Sequence, residues 1–386
     1  MANTLTNLIP DAYAALDVVS RELVGFVPAV ARDPRADRVP VGQTLRIHQT
    51  PPNAARRDIT PAMAFPAAAD QTIGNKTFTI TKSVAQPFSW TGEEQGAINT
   101  GSGFLTVQQD QIAQAIRALI NEMEGDIAAA AYKGASRAYG TAGTTPFGTN
   151  LGESAQVKKI LDDNGAPGSD RTLVINTTGG ASLRTLLNNP LNANTSLNGN
   201  FTAQGVIMDL NGFKFRESAQ VKAVTKGTMT GALVNNGAGY PVGTTTIAFD
   251  TGTAGATGFQ AGDVVTFTGD SNKYIVNTTI VAASGNLVLN APGLLVAVAD
   301  NTAITVGNSY TANLGFSRNA LLLGTRLPIL PEEGDLALDR MIITDPVSGI
   351  SLEFAKYPGY RMIEYEVAAA WGVSVLKPEH IDILLG

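Results

Sequence analysis

Only a few residues in this 386-residue chain are of types that could do acid–base or metal chemistry, and their settings are poor for it. Histidine is the usual proton shuttle near neutral pH, but there are two, His48 and His380, and neither stands in an H-E-x-x-H or comparable arrangement. Adjacent carboxylates occur at Glu93-Glu94, Asp162-Asp163 and Glu332-Glu333, in segments bounded by glycine or proline that suit solvated turns and helix ends. None belongs to a calcium-loop pattern or a glycosidase pair. The stretch "NNGAGYPVG", with Gly237, Gly239 and Gly243, superficially resembles a phosphate loop. It precedes a strand pattern, so no helix terminus completes an anion site, and the lysine and serine of a Walker loop are missing. The absence of cysteine removes disulfides, thiolate nucleophiles and cysteine metal sites. These residues predict no catalytic, cofactor-binding or metal site and no enzyme. One charge feature remains, Arg56-Arg57 followed by Asp58. It reads either as a solvated hairpin tip or as a charge pair with an acidic patch on a neighbouring chain. The scarcity of aromatic side chains around it argues against nucleic acid.

Composition narrows the classes further. Hydrophobic residues make up 44% and charged ones 16%, so the chain folds around a sizeable core while Thr, Asn, Ser and Gln supply much of its polar surface. A weakly charged surface of that kind suits extensive contact with partners. A net charge of −6 argues against broad electrostatic binding of DNA or RNA. The start "MANTLTNLIPDAYAAL" has neither the basic beginning nor the long apolar run of a signal peptide, and no apolar stretch is long enough to span a bilayer. The expectation is a chain made in a reducing cytoplasm with no membrane segment.

The elements that carry these residues alternate in character. "IPDAYAALDVVSRELVGFV" predicts a short amphipathic helix on Leu16, Val19 and Leu23, ended by Gly25 and Pro28. Strand patterns at Leu45 to His48 and Thr77 to Ser83 flank a Pro- and Ala-rich excursion that holds Arg56 and Arg57, which reads as an extended hairpin reaching away from the body. From residue 106 to 139, Ile112, Ile116, Leu119, Met123 and Ile127 trace one apolar stripe of a long helix, with Thr106 and Gln109 as a capping box. Residues 150 to 222 read as mixed α/β: a helix over "ESAQVKKILDD", a strand over "RTLVINTT", a helix over "GGASLRTLLNN" and a hairpin turning at Asn211-Gly212.

Between residues 223 and 312, five short strand patterns ("TTTIAF", "DVVTFT", "KYIVNTTIV", "NLVLN", "TAITV") recur at about ten-residue spacing, which predicts a small closed barrel or sandwich inserted into the surrounding domain. "RNALLLGTRLPIL" fits a helix or a strand. "MIIT" and "ISLEFAKY" flank a turn at Asp345-Pro346 and Ser348-Gly349, and two apolar strands around Lys377-Pro378 close the chain.

The order of parts resembles the major capsid proteins of tailed bacteriophages, which share the HK97-type fold. More narrowly it resembles the P22 coat-protein group, in which a β-barrel is inserted into that fold. "IPDAYAALDVVSRELVGFVPAVARD" looks like the opening of that group, and "AFPAAADQTIGNKTFTITKSVAQPFSWTGEE" resembles its extended-loop segment. The resemblance implies an α+β fold divided as follows: residues 1–39 an N-terminal arm, 40–95 the extended loop, 96–144 the spine helix of the peripheral domain, 145–222 the first part of the axial domain, 223–312 the inserted β-barrel, and 313–386 the rest of the axial domain with closing strands of the peripheral one. It implies a coat protein that assembles into the icosahedral head of a virion in the host cytoplasm, as hexamers and pentamers of itself. Its expected partners are a scaffolding protein, a portal and enclosed double-stranded DNA bound without sequence specificity. Arg56, Arg57 and Asp58 are then candidate intersubunit contacts. An encapsulin-like bacterial compartment shell shares the fold and is the alternative. A related family crosslinks its subunits through lysine and asparagine; Lys76 and Lys82 lie in the loop region, but no such chemistry is predicted from them.

Overall fold

The computed structural model describes residues 24–49, 74–98, 104–187, 209–344 and 350–386. The expected helix on Leu16, Val19 and Leu23, the loop residues Arg56, Arg57 and Asp58, and the turn at 345–349 lie outside the described residues.

A long helix, α2 (Phe104–Gly134), organises the rest. Its 31 residues rise by about 46 Å at 1.5 Å each. The apolar stripe read from the sequence is its buried face: Ile112, Ile116, Leu119, Met123 and Ile127 are all at most 1% exposed. The start differs from expectation. The helix begins two residues before Thr106, which therefore lies in its first turn and not at the cap. A capping box does form one helix earlier, on α1 (Gly92–Ile98). The Glu94 carboxylate accepts from the Thr91 N–H at 2.9 Å, and the Glu94 N–H donates to the Thr91 hydroxyl at 3.3 Å.

Helix α2 buries its stripe against two sheets at once, and one apolar core joins all three. The six-stranded sheet runs β1 (Ala31–Arg38), β16 (Leu321–Leu327), β19 (Met362–Val375), β18 (Ser351–Gly359), β17 (Asp339–Thr344), with β4 (Lys82–Thr91) on the other edge of β19. Every pairing is antiparallel except β1 with β16. "RNALLLGTRLPIL" is thus resolved as a short 3-10 turn and a strand. Pro87 sits within β4, an edge strand, where a residue without an N–H costs no ladder bond and discourages stray pairing.

The nine-stranded sheet runs β14 (Ile304–Val306), β11 (Val264–Phe267), β12 (Lys273–Ile275), β5 (Arg137–Tyr139), β20 (Ile381–Leu385), β15 (Tyr310–Ser317), β6 (Arg171–Ile175), β7 (Phe213–Glu217), with β8 (Ala223–Val224) on the far end of β15. Helices α3 (Gly152–Asp163) and α4 (Thr177–Leu187) cover its second face through Val157, Leu161, Leu183, Phe213, Phe215 and Leu384. Asn211 and Gly212, at φ 52° and 79°, supply the left-handed turn read from the sequence. The strand that follows pairs with β6 in parallel.

All five strand patterns between 223 and 312 are present: β10 (Thr246–Asp250), β11, β12, β13 (Gly285–Val288) and β14. They surround their own core of Phe249, Phe259, Val265, Phe267, Tyr274 and Leu287, and β8 pairs with β15 where the segment leaves and rejoins the body. These strands belong to two sheets joined by two bridges, Leu233 with Ala303 and Val276 with Leu289, so strand pairing runs all the way round their core. Strands β13, β10 and β9 (Leu233–Val234) make a small sheet, while β14, β11 and β12 extend the nine-stranded sheet through the pairing of β12 with β5. Turn spacing reports strands; the join to β5 depends on long-range register that spacing does not encode.

This segment also terminates α2. Buried Asn290 donates from Nδ2 to the Lys133 and Ala135 carbonyls, at 2.8 and 2.7 Å, satisfying acceptors that the end of a helix leaves open. Buried Tyr310, on β15, donates to the Gly262 carbonyl at 2.7 Å. Asp263 accepts from the Gly227 and Gln260 N–H groups, at 2.9 and 2.7 Å, and closes the neck.

The five residues of β20 join β5, and everything paired beyond it, to β15. Replacing Ile383, which is fully buried, with alanine should therefore destabilise the whole chain by about 3 kcal/mol. Urea unfolding followed by circular dichroism measures this, and an unchanged midpoint would contradict the central position of β20.

Candidate functional site

Two strands stand apart from both sheets. β2 (Thr44–Gln49) and β3 (Gly74–Thr79) pair only with each other among the described residues, from Thr44 with Thr79 out to Gln49 with Gly74. Alternation makes the ribbon one-faced: Leu45, Ile47, Lys76 and Phe78 turn inward, while Arg46 and Thr77 are exposed. A two-stranded ribbon is marginal on its own in water, so how it is rooted matters.

The root is a notch in the six-stranded sheet. Gly324 on β16 and Gly372 on β19 are register partners. A Cβ on Gly324 would fall within the Phe78 ring, and one on Gly372 would strike the Thr79 carbonyl. Two absent side chains on adjacent strands therefore let β3 cross the sheet at backbone distance. Phe78 and Ile80, both at most 1% exposed, pack there with Val39 and Ala370. The Thr81 N–H donates to the Trp371 carbonyl at 3.0 Å, and the Lys76 ammonium donates to the Leu376 carbonyl. This crossing also divides the single strand expected at Thr77 to Ser83: β3 ends at Thr79 and β4 starts at Lys82, in a different sheet.

The chain that precedes β1 is rooted by a carboxylate. Glu124, 1% exposed, lies on the apolar stripe of α2 between Ile120 and Ile127. It accepts from the Gly25, Phe26 and Val27 N–H groups, at 3.2, 2.8 and 2.6 Å, and from the Ser218 hydroxyl at 2.8 Å. Burial pushes this carboxyl above its ordinary range, with the four donors pulling it back. A few residues on, Arg326, 2% exposed, holds the Asp33 carbonyl and carboxylate, each at 2.7 Å. Glu353 lies between Arg38, at 2.6 Å, and Arg340, at 2.5 Å.

The residues singled out for chemistry are not brought together. His48 pairs with Asn75 in the ribbon. His380 is buried in the 3-10 turn before β20, and burial, then Lys377, lowers its pKa. Asp162 and Asp163 make i,i+4 pairs with Lys158 and Lys159. Gly239 and Gly243 take positive φ in a turn between strands. No group of three or more metal-ligating side chains occurs among the described residues. Glu124, Arg326 and Glu353 escaped the sequence reading. Only Glu124 carried a signal, as a charge on an otherwise apolar helix face.

A cleft of about 900 Å³ lies at the outer end of the six-stranded sheet, between Trp90, Glu93, Leu338 and the turn from β18 to β19. Tyr360 in that turn is 92% exposed and Leu338 63%. Glu93, Tyr360 and Arg361 are its titratable lining residues, and it reads as surface relief.

No family model and no curated protein matches the chain. Solved structures do. A structure of bacteriophage PhiM1 mature capsid aligns over 94% of this chain and 86% of its own, at 11% identity and a TM-score of 0.48. One of Mycobacterium phage Che8 aligns over 89% and 84%, at 12% and 0.47. A virus-like particle from Pyrococcus furiosus aligns over 98% and 100%, at 9% and 0.42. Likeness at this level assigns neither family nor function.

The glycine notch predicts a double-mutant cycle. Gly324→Ala should destabilise by about 1–3 kcal/mol through overpacking, and Phe78→Ala by about 3 kcal/mol through lost burial. Together they should cost at least about 1 kcal/mol less than the sum, because shortening Phe78 makes room for the new methyl. Gly372→Ala should not be rescued, since the obstructing atom is a backbone carbonyl. Chemical denaturation of the three single variants and of the two doubles with Phe78→Ala measures this, and strict additivity of Gly324→Ala with Phe78→Ala would refute the seating.

Glu124 predicts a pH dependence. A carboxyl whose folded pKa lies above its unfolded value contributes stability that is complete below the unfolded pKa and lost as pH rises through the folded one. The stability of the wild type relative to Glu124→Gln should therefore rise as pH falls from 7 toward about 4.5. Thermal midpoints of the two proteins across that range give the slope, and the opposite sign would mean that the four donors outweigh burial.

Proposed function

We propose that this chain is the coat protein of a tailed-phage head, tiling with copies of itself into an icosahedral shell of hexamers and pentamers around double-stranded DNA. One observation carries the reading. A one-faced ribbon is fixed firmly at its root by the Gly324–Gly372 notch, yet beyond that root its strands pair with nothing else among the described residues. Such a ribbon gains its remaining contacts from a neighbour, and residues 40–95 serve as the extended loop that supplies them.

Several features of the chain support this assignment. Closed shells gather stability from many modest contacts repeated by symmetry, and arms and loops anchored at one end suit that economy. Residues 1–39 are the arm, with Glu124 and Arg326 as its anchors. Helix α2 is the spine, and residues 223–312 are the inserted module, with Asn290 as its brace on the spine. Arg56, Arg57 and Asp58 remain proposed contacts between subunits. A net charge of −6 keeps the inner wall from adhering strongly to packaged DNA. A scaffolding protein and a portal are the further partners this role requires.

The test is assembly. Negative-stain microscopy and sedimentation of the purified full chain should show shells, rings or capsomers; a persistent monomer with enzymatic turnover would refute the reading. Deleting residues 50–70 should leave the folded core and its unfolding midpoint intact. Assembled material should fall at least roughly tenfold, which needs only about 1.4 kcal/mol lost from association. Unchanged shells would refute the loop assignment. Particles loaded with a protein cargo in place of DNA would favour the compartment-shell alternative.

A further inference from the structure

Beneath α3, one face of the nine-stranded sheet carries charge where a core would ordinarily be apolar. Asp382 on β20 is fully buried, and its register partners are Gly315 on β15 and Arg137 on β5. Two residues along β15, Ser317 pairs with Arg171 on β6. Strand alternation therefore puts Asp382, Arg137, Ser317 and Arg171 on the same face, and none is more than 4% exposed.

The two arginines are held elsewhere. Arg137 donates from Nη2 to the Ile160 carbonyl and to Asn164 Oδ1, at 3.3 and 2.9 Å. Arg171 donates from Nε to the Pro167 carbonyl and from Nη2 to the Ala166 carbonyl, both at 2.7 Å. Its Nη1 lies 2.7 Å from Asp162 as a charge contact without hydrogen-bond alignment. Neither guanidinium pairs directly with Asp382. Both Asp382 oxygens, Arg137 Nε and the Ser317 hydroxyl have no hydrogen-bond partner in the protein. Buried polar groups are nearly always satisfied, and a buried carboxylate without any partner is among the costliest exceptions. Groups of complementary type facing each other beyond direct contact ask for a bridging molecule. Gly315, opposite Asp382, lets the carboxylate lie close against β15: a Cβ there would come within 2.5 Å of Asp382 Oδ1 and 2.6 Å of Val157 Cγ1.

We propose that this cluster is a binding site for ordered water, with at least one molecule donating to Asp382 Oδ, accepting from Arg137 Nε–H and bonding the Ser317 hydroxyl. A buried water typically makes about three hydrogen bonds, and these three atoms supply that number with the correct polarity. Burial pushes the Asp382 carboxyl well above the usual carboxylate range while Arg137 and Arg171 pull it back, and the bridge links β5, β20 and β15 through side chains as well as through the ladder.

A structure of the assembled or unassembled full chain, at a resolution that shows ordered solvent, tests this directly. A water peak within hydrogen-bonding distance of Asp382 and Arg137 is expected in the wild type. It should be absent from Asp382→Leu, whose side chain fills the space. A wild-type map with Asp382 in direct contact with either arginine and no water, a dry site, or an ion in its place would overturn the proposal. The wild-type map decides even if the leucine variant does not fold.

Discussion

Strand β19 sets a constraint that the other elements obey. Over fourteen residues it pairs with β4 on one edge and with β18 and then β16 on the other, while α2 covers its face. A strand committed on both edges and one face leaves a crossing chain only its remaining face, which side chains ordinarily occupy. Gly372 and its partner Gly324 clear that face at one point, and Ala368 and Ala370, on the same face by alternation, keep its approach small. The chain crosses there, so the direction in which the β2–β3 ribbon leaves is fixed by two missing side chains in the most tightly paired part of the molecule. Glycine weakens a strand interior, and the burial of Phe78 and Ile80 in the opening offsets that loss.

The same economy governs how the peripheral segments are tied down. Glu124 fastens residues 25–27, Asp263 fastens residue 227, and Asn290 fastens the end of α2, each through backbone groups of a distant segment. A backbone N–H or C=O is available in any sequence, so a single polar side chain can hold a strand or turn that contributes little apolar surface of its own. The desolvation of each carboxylate is the opposing cost, visible as the upward pressure on the Glu124 and Asp263 carboxyls. Anchors of this kind place strength at the root of a segment and leave its far end uncommitted.

Local elements were legible in the sequence wherever period and punctuation agreed. The five residues of the α2 stripe, the helix over 152–163 and all five short strands between 223 and 312 announced themselves by spacing and by glycine. What was not legible depends on contacts between distant positions. "HIDILL" reads as a terminal strand, and nothing local says that it lies between β5 and β15 at the centre of a sheet. The pairing of β12 with β5, which joins the ring of short strands to the larger sheet, is of the same kind. Thr91 and Glu94 satisfy the capping pattern as well as Thr106 and Gln109 do, and only the observed helix starts tell them apart. Arg56, Arg57 and Asp58 lie outside the described residues, so their role rests on the proposed assembly alone.

The module between 223 and 312 shows what that long-range dependence accomplishes. Its own core, built on Phe249, Phe259 and Phe267, lets it form largely from local contacts. Without further pairing, only its two connecting strands would link this closed ring to the body. The β12–β5 pairing and the Asn290 bonds to Lys133 and Ala135 instead attach it at the point where α2 ends and the nine-stranded sheet begins. Helix, sheet and module therefore meet at residues 133–139, and a force applied along α2 passes into the sheet without crossing a loose joint.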